Sequence, residues 1–284
     1  MIDLHTHSNC SDGSMTPREL ILHAKKSGLS YIALTDHDTT EGLWQAMQTG
    51  DEVGIHVISG LEISTEAESQ VHILGYCIDP DSAVLQAAFE KQQLERKENF
   101  EKYLIRLAQY GFPMTREEVL AHAPSGHVGR AHYARVMMDK GYVSSVKEAF
   151  DLYLGIGMPC YIKREVMDPV QAIECVHAAG GVAFFAHPHQ TKLPDDQLFA
   201  LMKRLKDAGL DGIEGYYPEY TPEMGEKFRS WAKELDLMLS GGSDFHDKMK
   251  PHIQIGTGIN GNLYVSDDIA KAIILRAKGN KISG

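Results

Sequence analysis

Two histidines one residue apart close the first apolar run of the chain, in MIDLHTHSNCSDG, and Asp12 follows five residues later. In an extended segment alternate side chains share a face, so His5 and His7 point the same way with Thr6 opposite. Paired imidazoles beside a carboxylate are part of a donor set for a borderline transition ion. Further donors stand at or near the ends of later apolar runs: His37 in ALTDHD, Glu62 in GLEIS, His72 in VHILGY, His187 in FFAHPH, and Asp244 with His246 in GGSDFH. Six imidazoles and three carboxylates are too many for one tetrahedral ion. They suit two or three divalent ions sharing bridging carboxylates, as in sites that clamp both oxygens of a phosphoryl displacement. The mixed nitrogen and oxygen set favours zinc, manganese or iron over an ion that takes oxygen ligands alone. Three such ions would bring about +6 against the three carboxylates, leaving about +3 to attract an anionic substrate.

Elements must bring these side chains together. Apolar runs at Met1–His5, Tyr31–Thr35, Ile55–Leu61 and Gln70–Tyr76 read as strands, with helices over about Pro17–Lys26 and Glu41–Gln48. The first helix carries its own punctuation: Thr16 as N-cap, Pro17 at its first turn, Glu19 completing a capping box and Gly28 as stop. Residues 86–161 lose the strand rhythm and read as a helical insertion, the part that selects the substrate. The rhythm then resumes in GGVAFFAH, DGIEGYY and LMLSGGSD, so residues 1–85 and 162–284 form the main domain. Strand and helix alternating about seven times predict an α/β parallel sheet, best closed as a barrel with its functional groups at the carboxyl ends of the strands. An open doubly wound sheet fits less well, because no glycine-rich phosphate loop follows the first strand.

At 284 residues the chain has room for a large core, and its composition is that of a globular protein. The net charge of −11 disfavours a phosphate-tracking surface, so no stable binding of duplex nucleic acid is expected. No leader or membrane span is visible, and four cysteines without a CxxC pair fit a reducing compartment; a cytoplasmic protein with no membrane partner is expected.

The motifs DLHTHSNCSDG, ALTDHD, GLEIS, VHILGY, FFAHPH and GGSDFH resemble, in order, those of the PHP (polymerase and histidinol phosphatase) family of metal-dependent phosphoesterases. The resemblance spans nearly the whole chain and implies a distorted (β/α)7 barrel binding two or three ions of manganese, iron, zinc or magnesium. It places His5, His7, Asp12, His37, Glu62, His72, His187, Asp244 and His246 on the family's ligand positions. Within the family the chain is most similar to the subgroup with a helical insertion. Members of that subgroup remove the 3′-phosphate of nucleoside 3′,5′-bisphosphates or trim short oligoribonucleotides. The implied reaction is attack of a metal-bound hydroxide on a small phosphomonoester, a nucleotide first of all. Histidinol phosphate hydrolysis and a nonenzymatic metal-binding module are the alternatives. One departure concerns the substrate: the subgroup often continues from AHP into Gly-Arg, whereas this chain has His189 and Gln190, with Lys192 two residues on.

Around the centre, His187 and His246 are candidates to protonate the leaving oxygen, beside their reading as ligands. Arg130, near a helix start, and His132 are candidates for substrate phosphate, with Lys163 weaker and Arg135 read as a surface residue. Asp36, Asp38 and Ser243, adjacent to ligands, are expected to fix imidazole tautomers, with capping of a helix beginning near Thr40 as the alternative for Asp38. Glu214 either approaches the cluster or serves as a hydrogen-bonding or capping residue. The histidines at 23, 56, 122, 127, 177 and 252 read as structural.

Overall fold

The computed structural model describes residues 1–66, 70–123, 128–162 and 167–283. In chain order its elements are β1 (Ile2–Asp3), α1 (Pro17–Lys26), β2 (Tyr31–Leu34), α2 (Leu43–Val53), β3 (His56–Glu66), β4 (Gln70–Tyr76), α3 (Ala83–Gln109), α4 (Arg116–Ala121), α5 (Arg130–Asp139), α6 (Val146–Ala149), α7 (Pro169–Ala178), β5 (Val182–Phe185), α8 (Asp195–Asp207), β6 (Gly212–Tyr216), α9 (Pro222–Glu234), β7 (Met238–Gly241) and α10 (Asp267–Ser283). The punctuation of α1 is as the sequence predicts: Thr16 and Glu19 bond each other's backbone N–H, and Pro17 opens the helix.

All seven strands join one sheet in sequence order. Its first and last strands meet as well: the Leu4 N–H donates to Gly241 O at 3.1 Å, the His7 N–H to Phe245 O at 2.9 Å, and Thr6 bridges Phe245 in parallel. The result is a nearly closed α/β barrel. Beyond Asp3 the first segment leaves the β1–β2 ladder, so β1 is shorter than its apolar run; Thr6 there bonds Thr35 Oγ1 and Ala33 O instead.

The parallel-sheet expectation needs one correction. β4 runs antiparallel to both β3 and β5, and begins only four residues after β3 ends. Periodicity reports which residues share a face but not the direction in which a strand runs. The reversal matters for the site, because it puts the start of β4, with His72, at the end of the barrel where the parallel strands finish. His72 accordingly pairs in register with Ser64, two residues past Glu62.

Residues 1–87 and 166–284 form one compact unit, and residues 88–165 a second. The first has a core that includes Ile2, Leu4, Ile58, Leu74, Tyr76, Phe184 and Ile273. Burying each such side chain is worth about 1.5–3 kcal/mol. The second unit has its own core, with Phe100, Tyr103, Leu107, Tyr133, Met137 and Leu154 among its members. Among the described residues, no helix is long and apolar enough to cross a membrane.

Candidate metal centre

Each of the nine donors sits where a strand gives way to a loop, or within the long β3–β4 hairpin. Two glycines make the approach of the loops feasible. A Cβ on Gly242, just past β7, would lie 2.3 Å from the His5 amide nitrogen, and one on Gly13 would lie 2.4 Å from His7 O. Asp36 ties the loop after β1 down, accepting from Ser8 N–H, Ser8 Oγ and Ser11 Oγ. His187 and Asp244 adopt positive φ, 27° and 56°, a region that side chains with a Cβ rarely occupy and that clusters at functional sites.

The structure brings all nine predicted donors together. Glu62 is the hub: five imidazoles surround its carboxylate, His72 at 2.8 Å, His187 at 2.9 Å, His5 at 3.1 Å, His7 at 3.3 Å and His37 at 3.5 Å. Asp244 Oδ1 lies 3.3 Å from His7 Nε2, 3.4 Å from His246 Nδ1 and 3.6 Å from His5 Nε2. Asp12 is 3.1 Å from His246 Nε2 and 3.6 Å from His7 Nδ1. Four groups of donor atoms lie within 4.8 Å of one another: His7, Asp12, His37 and His246; His5, His7 and Asp244; His5, Glu62 and His187; His37, Glu62 and His72.

Burial penalises these charges, and mutual attraction overrides it. Desolvation would raise Glu62, but His37, His5, His72 and His187 hold it well below the usual carboxylate range. Asp244 is held down in the same way by His5, His7 and His246, against its own burial. His7 is lowered by burial, yet Asp244, Glu62 and Asp12 raise it to about 9. His37 goes the other way, lowered to about 3 by burial, with His7 and His72 adding to the effect and Glu62 opposing it.

Whether such a set suits ions can be tested on its hydrogen bonds. Both ring nitrogens of His7 and Nδ1 of His37 are buried and have no hydrogen-bond partner among the described residues, although carboxylate oxygens stand 3.3–3.6 Å from the His7 nitrogens. Buried nitrogens left without geometry for a hydrogen bond, yet facing carboxylates, fit divalent cations placed between them. Among the described residues, the cysteines at 10, 160 and 175 are free thiols.

Of the residues expected to orient imidazoles, Asp36 holds the loop after β1, Asp38 accepts from Ser64 N–H, and Ser243 donates to the buried Asp3. Those expectations rested on adjacency in sequence, which does not set side-chain direction. The carboxylate of Glu214, fully buried on β6, does reach an imidazole: Oε1 is 3.0 Å from His5 Nδ1, and Oε2 accepts from the His187 N–H at 2.8 Å. Sequence reasoning offered Glu214 as one alternative but missed the two donors on Asp244 Oδ2, the Tyr217 hydroxyl at 2.7 Å and Lys250 Nζ at 2.5 Å. Gln190, at the departure from the subgroup's Gly-Arg, donates to the Tyr217 hydroxyl at 3.0 Å. His189 is tilted against Tyr217 and lies 3.3 Å from Glu219.

The substrate candidates Arg130 and His132 open α5 in the second unit. The Arg130 guanidinium donates to Leu154 O and lies over the Phe150 and Tyr161 rings. His132 Nδ1 accepts from the Gly129 N–H, which caps the start of the helix. Lys163 and His127 lie outside the described residues. His23 packs on Phe245, His56 stacks on Tyr31, His122 pairs with Asp139 and His177 with Asp211, the structural roles expected of them.

The PHP domain family model matches residues 3–156. This chain belongs to the PHP family. A 5′-3′ exoribonuclease of Haemophilus influenzae is 39% identical over 86% of this chain and 89% of its own length. A 3′,5′-nucleoside bisphosphate phosphatase of Chromobacterium violaceum is 32% identical over 86% of this chain and 87% of its own. Among solved structures, a chain from Bifidobacterium adolescentis described as a metal-dependent phosphoesterase superposes with a TM-score of 0.74. It is 32% identical, and the match covers 97% of this chain and 96% of that one. The PHP barrel expected from the motifs is therefore the fold, and the chain is a PHP metal-dependent phosphoesterase, a hydrolase of phosphoric esters.

Proposed function

We propose that this PHP enzyme hydrolyses small phosphomonoesters, and specifically the 3′-phosphate of nucleoside 3′,5′-bisphosphates, at a centre of two or three manganese, iron or zinc ions. The observation that carries the reading is the buried hub at Glu62, with five imidazoles within 3.5 Å of its carboxylate and the His7 nitrogens without hydrogen bonds among the described residues. His5, His7, Asp12, His37, Glu62, His72, His187, Asp244 and His246 would hold the ions, with Glu62, His5, His7 and His37 each belonging to two of the four donor groups. Such ions, when bound, activate water and neutralise the nonbridging phosphoryl oxygens.

The protein's own share of the chemistry is placement. Tyr217 and Lys250 occupy Asp244 Oδ2 and so turn Oδ1 toward the imidazoles. Lys250 also brings a cation beside the cluster, which favours an anionic ester. His187 and His246 are assigned first as donors, with proton delivery to the leaving oxygen as their second role. The helical unit is assigned to substrate selection through Arg130 and His132, since a guanidinium presents a planar fork of N–H donors that matches phosphate oxygens.

The relative from Haemophilus influenzae supports a second reading, attack on the ends of short oligoribonucleotides. Phosphate and nucleotide release from a nucleoside 3′,5′-bisphosphate, a 5′-phosphorylated oligoribonucleotide and histidinol phosphate, each with manganese, separates these readings. The bisphosphate is expected to turn over fastest. His37→Ala should lose on the order of a hundredfold or more in kcat/KM, and unchanged turnover would remove the assigned cluster from the reaction.

A further inference from the structure

Glu214 is a carboxylate that touches a donor imidazole of the cluster yet, among the described residues, belongs to none of its four donor groups. It is fully buried, it stands in the middle of β6, and its two oxygens reach two donors just beyond the ends of β1 and β5. A charged residue enclosed on all sides is rare unless its partners need it. These partners need it for different reasons. The His187 amide is an obligatory donor at a residue of positive φ, so Oε2 fixes a strained backbone by accepting from it. The His5 ring has a choice of tautomers, and Oε1 removes that choice.

We infer that Glu214 is a positioning residue that locks His5 with its proton on Nδ1 and its Nε2 lone pair aimed into the centre. A carboxylate accepts only, so the Nδ1 atom 3.0 Å from Oε1 must carry hydrogen. The nitrogen left to bind an ion is then Nε2, the atom that faces Glu62 Oε2 at 3.1 Å and Asp244 Oδ1 at 3.6 Å. A ligating imidazole held through its second nitrogen is a recurrent way to fix both tautomer and ring orientation. One buried side chain here fixes two donors at once, the ring of His5 and the backbone of His187. The inference rests on the reading of the cluster as a metal centre.

The isosteric substitution Glu214→Gln makes a sharp test, because an amide has one oxygen and one NH2. The His187 N–H claims the oxygen, which turns the NH2 toward His5 Nδ1. That nitrogen must then accept, and the ring proton moves to Nε2, where it blocks the ion. The volume hardly changes, so the metal-free variant should keep its circular dichroism spectrum. Zinc and manganese affinity, measured by calorimetry on the full chain, should fall about 10- to 100-fold. In parallel, nitrogen-15 NMR of the zinc-loaded wild type should show His5 protonated at Nδ1, a signature that a merely space-filling glutamate would not set. Unchanged affinity in the variant, or a wild-type His5 protonated at Nε2, overturns the inference while leaving the centre in place. A wild type that takes up neither ion overturns the metal-centre reading, and this inference with it. If the glutamine variant does not fold, the wild-type spectrum alone decides.

Discussion

At the scale of single residues, the centre stores protons that an ion must displace. His7 in the metal-free protein is raised to about 9 because Asp244, Glu62 and Asp12 outweigh its burial. It is therefore protonated at pH 7, and its raised value stabilises the metal-free fold fully below the unfolded value of about 6.5, a contribution lost as pH rises through about 9. Ion uptake near neutrality should release protons, and apparent affinity should climb with pH up to about 9, roughly tenfold per unit for each proton displaced. Calorimetry in two buffers of different ionisation enthalpy reads this directly; uptake heats that do not depend on the buffer would contradict it. The donors themselves were legible in the sequence because histidine and aspartate at the ends of apolar runs are informative there. Glu214 was legible only as one of two alternatives, an approach to the cluster or a hydrogen-bonding or capping role, since a lone glutamate in DGIEGYY looks the same whether it caps, pairs or faces water. The signal available was its place inside an otherwise apolar strand, where a carboxylate needs a partner.

At the scale of elements, the helices and most strands could be read from caps and periodicity, and α1 agrees to the residue. The direction of β4 could not, because alternation is the same read forward or backward. Also hidden were contacts that join distant elements, of which Asp211 is the clearest. It lies just before β6 and is buried, with Oδ2 2.8 Å from His177 Nε2 on α7 and accepting from the Ala183 N–H of β5. Its Oδ1 accepts from Arg276 on α10 at 3.2 Å. Burial alone would raise this carboxyl, but His177, the Ala183 amide and Arg276 together lower it below 3.8. A depressed folded value stabilises above the unfolded pKa and is lost as pH falls through the folded one. Asp211→Asn should therefore cost about 1–2 kcal/mol at pH 7, discounted because His177 and Arg276 are partly exposed. The cost should shrink below about pH 3.8, and urea titrations of both proteins at pH 7 and pH 3 measure it. An equal cost at both pH values would mean that the charge contributes little.

At the scale of the whole molecule, ions at this centre would act as a cross-brace on the barrel. The nine donors come from segments near β1, β2, β3, β4, β5 and β7, so an ion held among them ties together chain ends that unfold apart. A ligand that binds the folded state alone adds RT ln(1 + [L]/Kd), about 2.7 kcal/mol at a hundredfold excess over Kd. For a unit of this size each kcal/mol shifts the midpoint by about 2–4 °C. Removing ions with a chelator should then lower the melting temperature of the barrel by roughly 5–11 °C. The residues 88–165 have a separate core and contribute none of the nine donors, so their stability should not follow the ion. The chain carries its own reporters for the difference: both tryptophans, Trp44 on α2 and Trp231 on α9, belong to the barrel unit. Tryptophan fluorescence should track the chelator-sensitive transition, while hydrogen exchange at the α5 amides should be unmoved. Equal shifts in both probes would show that the two units unfold as one and that the brace extends beyond the barrel.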